Sequence, residues 1–246
     1  MNLIVFGYAG SSDNTFRNLA SELPAEVSMR QFVYPGRGSR FKRHFASSLV
    51  ELAQEAGDSI SSKQPFILMG FSFGALVAYE AARYLQRQGQ APMALVVCAM
   101  NAPQSGDYRN QVHQLDMATL ASYLNKLGGT PGELLESPEF LAWYAPIIQS
   151  DYRLMDAYRH DPNPVLESPI LALTGESDPL TTRDAVGNWS SCTSSTFHSV
   201  SIPGSHFFLD ESPHILAAEL INGLSEVAQE REGSINGFQS SHARAQ

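Results

Sequence analysis

Residues 66–80 read Phe66-Ile67-Leu68-Met69-Gly70-Phe71-Ser72-Phe73-Gly74-Ala75-Leu76-Val77-Ala78-Tyr79-Glu80. The first four form a continuous apolar run, the pattern of a strand buried on both faces. From Ala75 to Gln88 the apolar residues recur at helical spacing instead. Between the two lies Gly70-Phe71-Ser72-Phe73-Gly74, a Gly-x-Ser-x-Gly segment in which the chain must turn sharply. Paired glycines let a strand and a helix approach across such a turn, which lifts the central hydroxyl clear of the sheet. The helix N-terminus beneath that hydroxyl favours negative charge developing above it.

The same alternation extends in both directions. Residues 3–6, 27–33, 66–69, 95–99, 170–173 and 199–202 are strand-like and close at or near Gly, Pro or Ser. Helical patterns fall between most of them: residues 16–22 behind the cap Asn14, 46–60, 75–88, and 213–227 with Ser212 as cap. Such alternation predicts an α/β fold, a mostly parallel central sheet with helices on both faces. Residues 107–161 break the rhythm with helical pattern and no strand. Ser137-Pro138-Glu139 is a strong helix start. Behind it Leu141, Tyr144, Ile148, Met155 and Tyr158 recur at helical steps, with Pro146 expected to kink the helix. This insertion reads as a lid over the C-terminal edge of the sheet. Residues 1–230 read as one domain, and residues 231–246 as a flexible polar tail.

Composition narrows the function. The chain has 246 residues, of which 43% are hydrophobic and 17% charged, so it can bury a full core and is not a disordered segment. Twenty-five acidic against 16 basic residues give a net charge of −9, which argues against nucleic acid as a partner. Two cysteines, Cys98 and Cys192, are too few for a disulfide framework or a thiolate metal site. No apolar run is long enough to span a bilayer, and the Met-Asn-Leu-Ile-Val start carries no basic leader. A cytoplasmic protein with no membrane partner is expected.

A neutral hydroxyl is a weak nucleophile, so Ser72 needs a base, and the base needs an orienting acid. Among seven histidines, His206 in Pro203-Gly204-Ser205-His206-Phe207-Phe208 directly follows the last strand, where a loop can return to Ser72. Asp178 in Thr174-Gly175-Glu176-Ser177-Asp178-Pro179 follows the strand at 170–173, with Glu176 as its nearest rival. The order Ser72, Asp178, His206 is that of an α/β-hydrolase. Acyl transfer also needs donors aimed at the oxyanion. The backbone N–H groups of Phe73 and of Ala9, in the loop Gly7-Tyr8-Ala9-Gly10, are the candidates, with Tyr8 as the alternative to Ala9. Spacings for a dinucleotide fingerprint or a metal site are absent, so no cofactor and no metal are expected.

Four segments then carry a resemblance: Phe6-Gly7-Tyr8-Ala9-Gly10-Ser11, Tyr34-Pro35-Gly36-Arg37-Gly38-Ser39-Arg40, Gly70-Phe71-Ser72-Phe73-Gly74-Ala75, and Pro203-Gly204-Ser205-His206-Phe207-Phe208-Leu209. In this order they resemble the type II thioesterases, stand-alone editing hydrolases of nonribosomal peptide and polyketide synthesis. The stretch from Trp143 to Tyr158, with Asp151, resembles the family's lid. Phe71 departs from the family's usual His and Phe73 from its frequent Met, which implies altered packing rather than lost chemistry. The sequence starts almost at its first expected strand, where many relatives carry a short leader. The resemblance implies hydrolysis of acyl thioesters on the phosphopantetheine arm of acyl or peptidyl carrier proteins, by a monomer. The basic cluster Arg37, Arg40, Lys42 and Arg43 stands out on an acidic chain, and Arg37 and Arg40 are the expected carrier or arm contacts. Two other readings share much of this pattern: a general α/β-hydrolase acting on small esters or acyl-CoA, and a non-catalytic carrier-binding protein.

Overall fold

Six strands form one parallel sheet in the order β2-β1-β3-β4-β5-β6. They are β1 (Asn2–Phe6), β2 (Ser28–Phe32), β3 (Phe66–Phe71), β4 (Leu95–Cys98), β5 (Ile170–Gly175) and β6 (Phe197–Ile202). The computed structural model describes residues 1–60 and 64–242, with side chains as far as Val227. Every strand expected from the apolar runs is present, displaced at its ends by one or two residues.

Side chains alternate between two cores because a strand has a period of two. Ile4, Phe6, Leu68, Val97 and Ala172 face α2 (Leu49–Ser59) and α3 (Phe73–Arg87). Leu3, Val5, Met69, Val96 and Leu171 face α1 (Arg17–Glu22) and the C-terminal helices. Each such Leu or Val, buried fully, contributes about 1.5–3 kcal/mol relative to exposure. The chain therefore leaves β1 toward one face and β3 toward the other. That reversal opens a crevice between the C-terminal ends of these neighbouring strands, where open α/β sheets place their sites.

Some local signals differ from the sequence reading. Asn14 does not cap α1 through its side chain; its carbonyl accepts from Arg17 N and the helix begins behind Phe16. Helix α2 starts at Leu49, because the Ser48 hydroxyl accepts the Glu51 N–H and fixes the boundary. After β4 come α4 (Met117–Leu127), α5 (Gly132–Leu135) and α6 (Pro138–Ala157), the expected lid. Ser137 caps α6 through Phe140 N, and the helix runs through Pro146. After β5 come α7 (Arg183–Gly187), then α8 (Phe208–Glu211) and α9 (Pro213–His242) behind β6. The backbone of α9 stays helical past residue 230, where the sequence reading places a tail. Ala228, Gln229, Glu230, Arg231 and Glu232 are good helix formers and no proline follows Pro213. Residues 243–246 of that tail lie outside the described residues.

Candidate active site

Ser72 sits between β3 and α3 with φ 54° and ψ −120°, a conformation that costs a non-glycine residue about 1–3 kcal/mol. Its N–H donates to the Cys98 carbonyl at 2.8 Å, and its own carbonyl accepts from Ala75 N at 2.8 Å. Both flanking glycines are sterically required. A Cβ on Gly70 would lie 2.5 Å from Ala75 Cα, and one on Gly74 would lie 2.6 Å from the Gly7 carbonyl oxygen. The helix begins at Phe73, two residues before its apolar periodicity starts.

His206 Nε2 lies 3.1 Å from Ser72 Oγ, and His206 Nδ1 lies 2.9 Å from Asp178 Oδ2. All three residues are buried, at 9% exposure for Ser72, 3% for His206 and 7% for Asp178. An ionised carboxylate only accepts, so Nδ1 carries the proton and donates to Asp178. Nε2 is then left to accept the Ser72 hydroxyl proton. Asp178 Oδ1 is itself fixed by the Leu180 N–H at 2.8 Å.

The loops behind β5 and β6 are stitched together. Glu176 N donates to Ile202 O and Ser177 N to Gly204 O, at 2.9 and 3.0 Å. A Cβ on Gly175 would come within 2.8 Å of the Gly204 carbonyl oxygen, so this close approach requires glycine. Phe71 packs edge-on beneath the His206 ring at 6.2 Å and against Phe208 at 4.9 Å. The residue that departs from the family pattern thus forms part of the imidazole's floor. Glu176 is exposed and Asp210 bonds Asn18 instead. His113 pairs with Asp156 at 2.5 Å, away from Ser72.

Tyr8, Ala9, Gly10 and Ser11 form a turn closed by Ser11 N donating to Tyr8 O at 2.9 Å, with Gly10 at φ +84°. A positive φ at the third position is that of a type II turn, which selects glycine. The Tyr34 hydroxyl donates to the Gly7 carbonyl at 2.9 Å. Ala9 shares a small cavity with Ser72 and His206. Among the described residues, no protein acceptor takes the N–H of Ala9 or of Phe73.

Arg37 is a correction. It is 4% exposed and points inward, its guanidinium donating to both carboxylate oxygens of Asp151 at 2.5 and 2.6 Å. Burial opposes its charge, but Asp151 outweighs burial and raises the Arg37 pKa. An arginine so paired cannot also meet a docked carrier protein. Arg40 is half-buried, donating to Val33 O and paired with Glu55, so it too is largely occupied. Lys42 and Arg43 stay exposed. Asp151 on α6 also accepts the Gly10 N–H at 2.8 Å. Sequence reasoning placed Asp151 on the lid without this role. The available signal was a carboxylate set among Ile147, Ile148, Tyr152, Leu154 and Met155, all core residues.

Two small cavities flank the Ser72–His206 pair. One, of 60 Å³, is walled by Ala99, Asn101, Tyr108, Met155 and Leu180. The other, of 20 Å³, lies toward Tyr8, Leu124, Tyr144, Ile148 and Phe207. Burial raises the pKa of Tyr8 and Tyr152, and pushes that of Tyr108 up to about 12, so these hydroxyls remain protonated at neutral pH. A larger hollow, of 880 Å³, runs along β5 and β6 beside Asp178, and neither Ser72 nor His206 lines it.

A family model described as a thioesterase domain matches residues 1–222. The chain belongs to the thioesterase family. Thioesterase PikA5 of Streptomyces venezuelae is 32% identical over 92% of this chain and 80% of its own. The type II thioesterase BorB from the borrelidin biosynthetic cluster superposes with a TM-score of 0.82 at 32% identity, covering 91% of this chain and 92% of that one. RedJ, a thioesterase of the prodiginine pathway in Streptomyces coelicolor, gives a TM-score of 0.82 at 31% identity over 89% of this chain and 84% of its own. This thioesterase has the expected α/β-hydrolase fold. Among its described residues no His, Cys, Asp and Glu side chains cluster to hold a metal, and no helix is long and apolar enough to cross a membrane.

Proposed function

We propose that this thioesterase hydrolyses acyl thioesters on the phosphopantetheine arm of carrier proteins, clearing stalled or mis-primed acyl groups from a nonribosomal peptide or polyketide assembly line. The single observation that carries the chemistry is the continuous path from Ser72 Oγ through His206 to Asp178, 3.1 and 2.9 Å long. Ser72 attacks the thioester carbonyl while His206 Nε2 takes its proton. The tetrahedral oxyanion is met by the N–H groups of Ala9 and Phe73, and the latter adds the positive end of α3. Collapse breaks the carbon–sulfur bond, and His206 returns the proton to the departing thiolate. Water, deprotonated by His206, then attacks the acyl-enzyme and frees the carboxylic acid. Asp178 keeps the imidazole in the required tautomer throughout.

Kinship with thioesterases named for biosynthetic clusters supports a carrier-borne substrate. The surface supports it as well. Phe41 is 66% exposed beside Lys42 and Arg43. An open cleft of 460 Å³ is lined by Arg40, Lys42, Arg43 and Phe45 together with Glu51 and Glu55. A local basic and aromatic patch suits an acidic carrier despite the net charge of −9. The protein acts in the cytoplasm as a monomer in this reading and needs no cofactor.

The test incubates a panel of acyl-loaded carrier proteins with the enzyme and follows the acyl mass by mass spectrometry, with a fluorophosphonate probe in parallel. Wild type is expected to strip carrier-borne acyl groups and label, and Ser72→Ala to do neither. Labelling without carrier deacylation, alongside turnover of free esters or acyl-CoA, would make it a general hydrolase. Failure to label would leave only a carrier-binding protein.

A further inference from the structure

The lid helix α6 reaches the candidate oxyanion turn through Asp151. Its Oδ2 accepts the Gly10 N–H at 2.8 Å, 141 residues away in sequence, inside the protein. Gly10 N belongs to the central peptide of the Tyr8–Ser11 turn. That peptide has two orientations, and in the other its carbonyl replaces its N–H. A carboxylate at this point accepts the N–H and repels the carbonyl, so it selects the turn with Gly10 at φ +84°. The same turn carries Ala9. The carboxylate also brings a hazard, since a buried negative charge beside an oxyanion hole opposes the charge that develops there. Arg37 removes the hazard. Its bidentate pair with Asp151 neutralises the carboxylate, and its fixed fork holds the oxygens in place. Arg37 Nε has no partner among the described residues, so its pairing rests on Asp151.

We infer that Asp151 and Arg37 are positioning residues for the reaction: Asp151 holds the oxyanion turn through Gly10, and Arg37 orients and neutralises Asp151. The inference rests on the reading that the Ala9 N–H meets the oxyanion. Neither residue touches the substrate. The lid helix is thereby a structural component of the hole, so displacing α6 from Gly10 releases the turn.

Two double variants isolate the contact. R37M/D151A and R37M/D151N both remove the buried charges, but only Asn keeps an oxygen that can accept the Gly10 N–H. The assay is turnover of a short-chain 4-nitrophenyl ester, which needs neither carrier nor pantetheine arm, with folding checked by circular dichroism and thermal melting. Loss of one oxyanion donor costs about 10²–10³ in kcat, so a loosened turn is expected to lower kcat of R37M/D151A by about 10- to 100-fold, with KM within about threefold. R37M/D151N is expected to recover most of that loss at a similar melting temperature. Equal kcat in the two variants, or a loss in R37M/D151A that appears only in KM, would overturn the inference. If the double variants fail to fold, D151A against D151N with Arg37 in place makes the same comparison. The readings separate cleanly, because wild type inert toward the ester, or S72A still active, counts against Ser72 chemistry itself.

Discussion

Replacing Gly74 by alanine tests the packing that makes the site. In the native fold a Cβ at this position would lie 2.6 Å from the Gly7 carbonyl oxygen, and closer still to that of Phe6. Real Cβ atoms stay at least 3.0 Å from such neighbours. Both obstacles are backbone atoms at the end of β1, so no rotamer change relieves the clash. The start of α3 and the first strand's loop must part by about 1 Å, in an interior packed as densely as a crystal. Overpacking of this kind costs about 1–3 kcal/mol or more. For a protein of this size that is a fall in Tm of about 6–12 °C at the upper end. The catalytic effect should be larger. Gly7 opens the turn that carries Ala9, and Gly74 follows Phe73, so one methyl group pushes the two candidate oxyanion donors apart. A displacement of about 1 Å costs on the order of 10²-fold in rate. The assay is a thermal melt by circular dichroism together with kcat on a short 4-nitrophenyl ester at a temperature where G74A remains folded. A variant with unchanged Tm and unchanged kcat would refute the claim that this close approach sets the site.

Two further outcomes follow from other parts of the structure. Reversing the exposed charges in K42E/R43E should lower kcat/KM for carrier-borne acyl groups by about 3- to 10-fold at low salt. Added salt should narrow the difference, and hydrolysis of a free ester should be unaffected. His160 lies against Tyr79, and burial, followed by the nearby Arg83 charge, lowers its pKa. The unfolded chain therefore takes up a proton before the folded one does, so this residue costs stability as pH falls below the ordinary histidine value of about 6.5. Urea midpoints measured at pH 7.5 and 5.5 should differ less in H160Q than in wild type.

The sequence made the frame of the fold legible because buried strands and amphipathic helices write their periods locally. Ser72, Asp178 and His206 were legible for a related reason: each stands in the first loop after a strand, and a parallel sheet brings such loops to one edge. Helix boundaries were less so. Ser48 rather than the apolar pattern sets the start of α2, and Ser72 itself sets the start of α3. The direction of Arg37 was not legible at all. A cationic run reads as solvated surface, and only its partner Asp151, 114 residues onward, turns this member inward. Pairing across such a distance leaves no spacing to find. The lone sign was an acid embedded in an otherwise apolar helical stripe.

The hollows on either side of Ser72 hold 60 and 20 Å³. A cavity needs about 10–15 Å³ of such volume to hold one water, so the smaller admits a single solvent molecule and the larger a few at most. Neither accommodates an acyl chain together with its carrier's arm. In this conformation the site has room for water beside Ser72 and none for bulky cargo. Cargo of that size must widen the crevice beside Ser72 before its carbonyl can reach the hydroxyl.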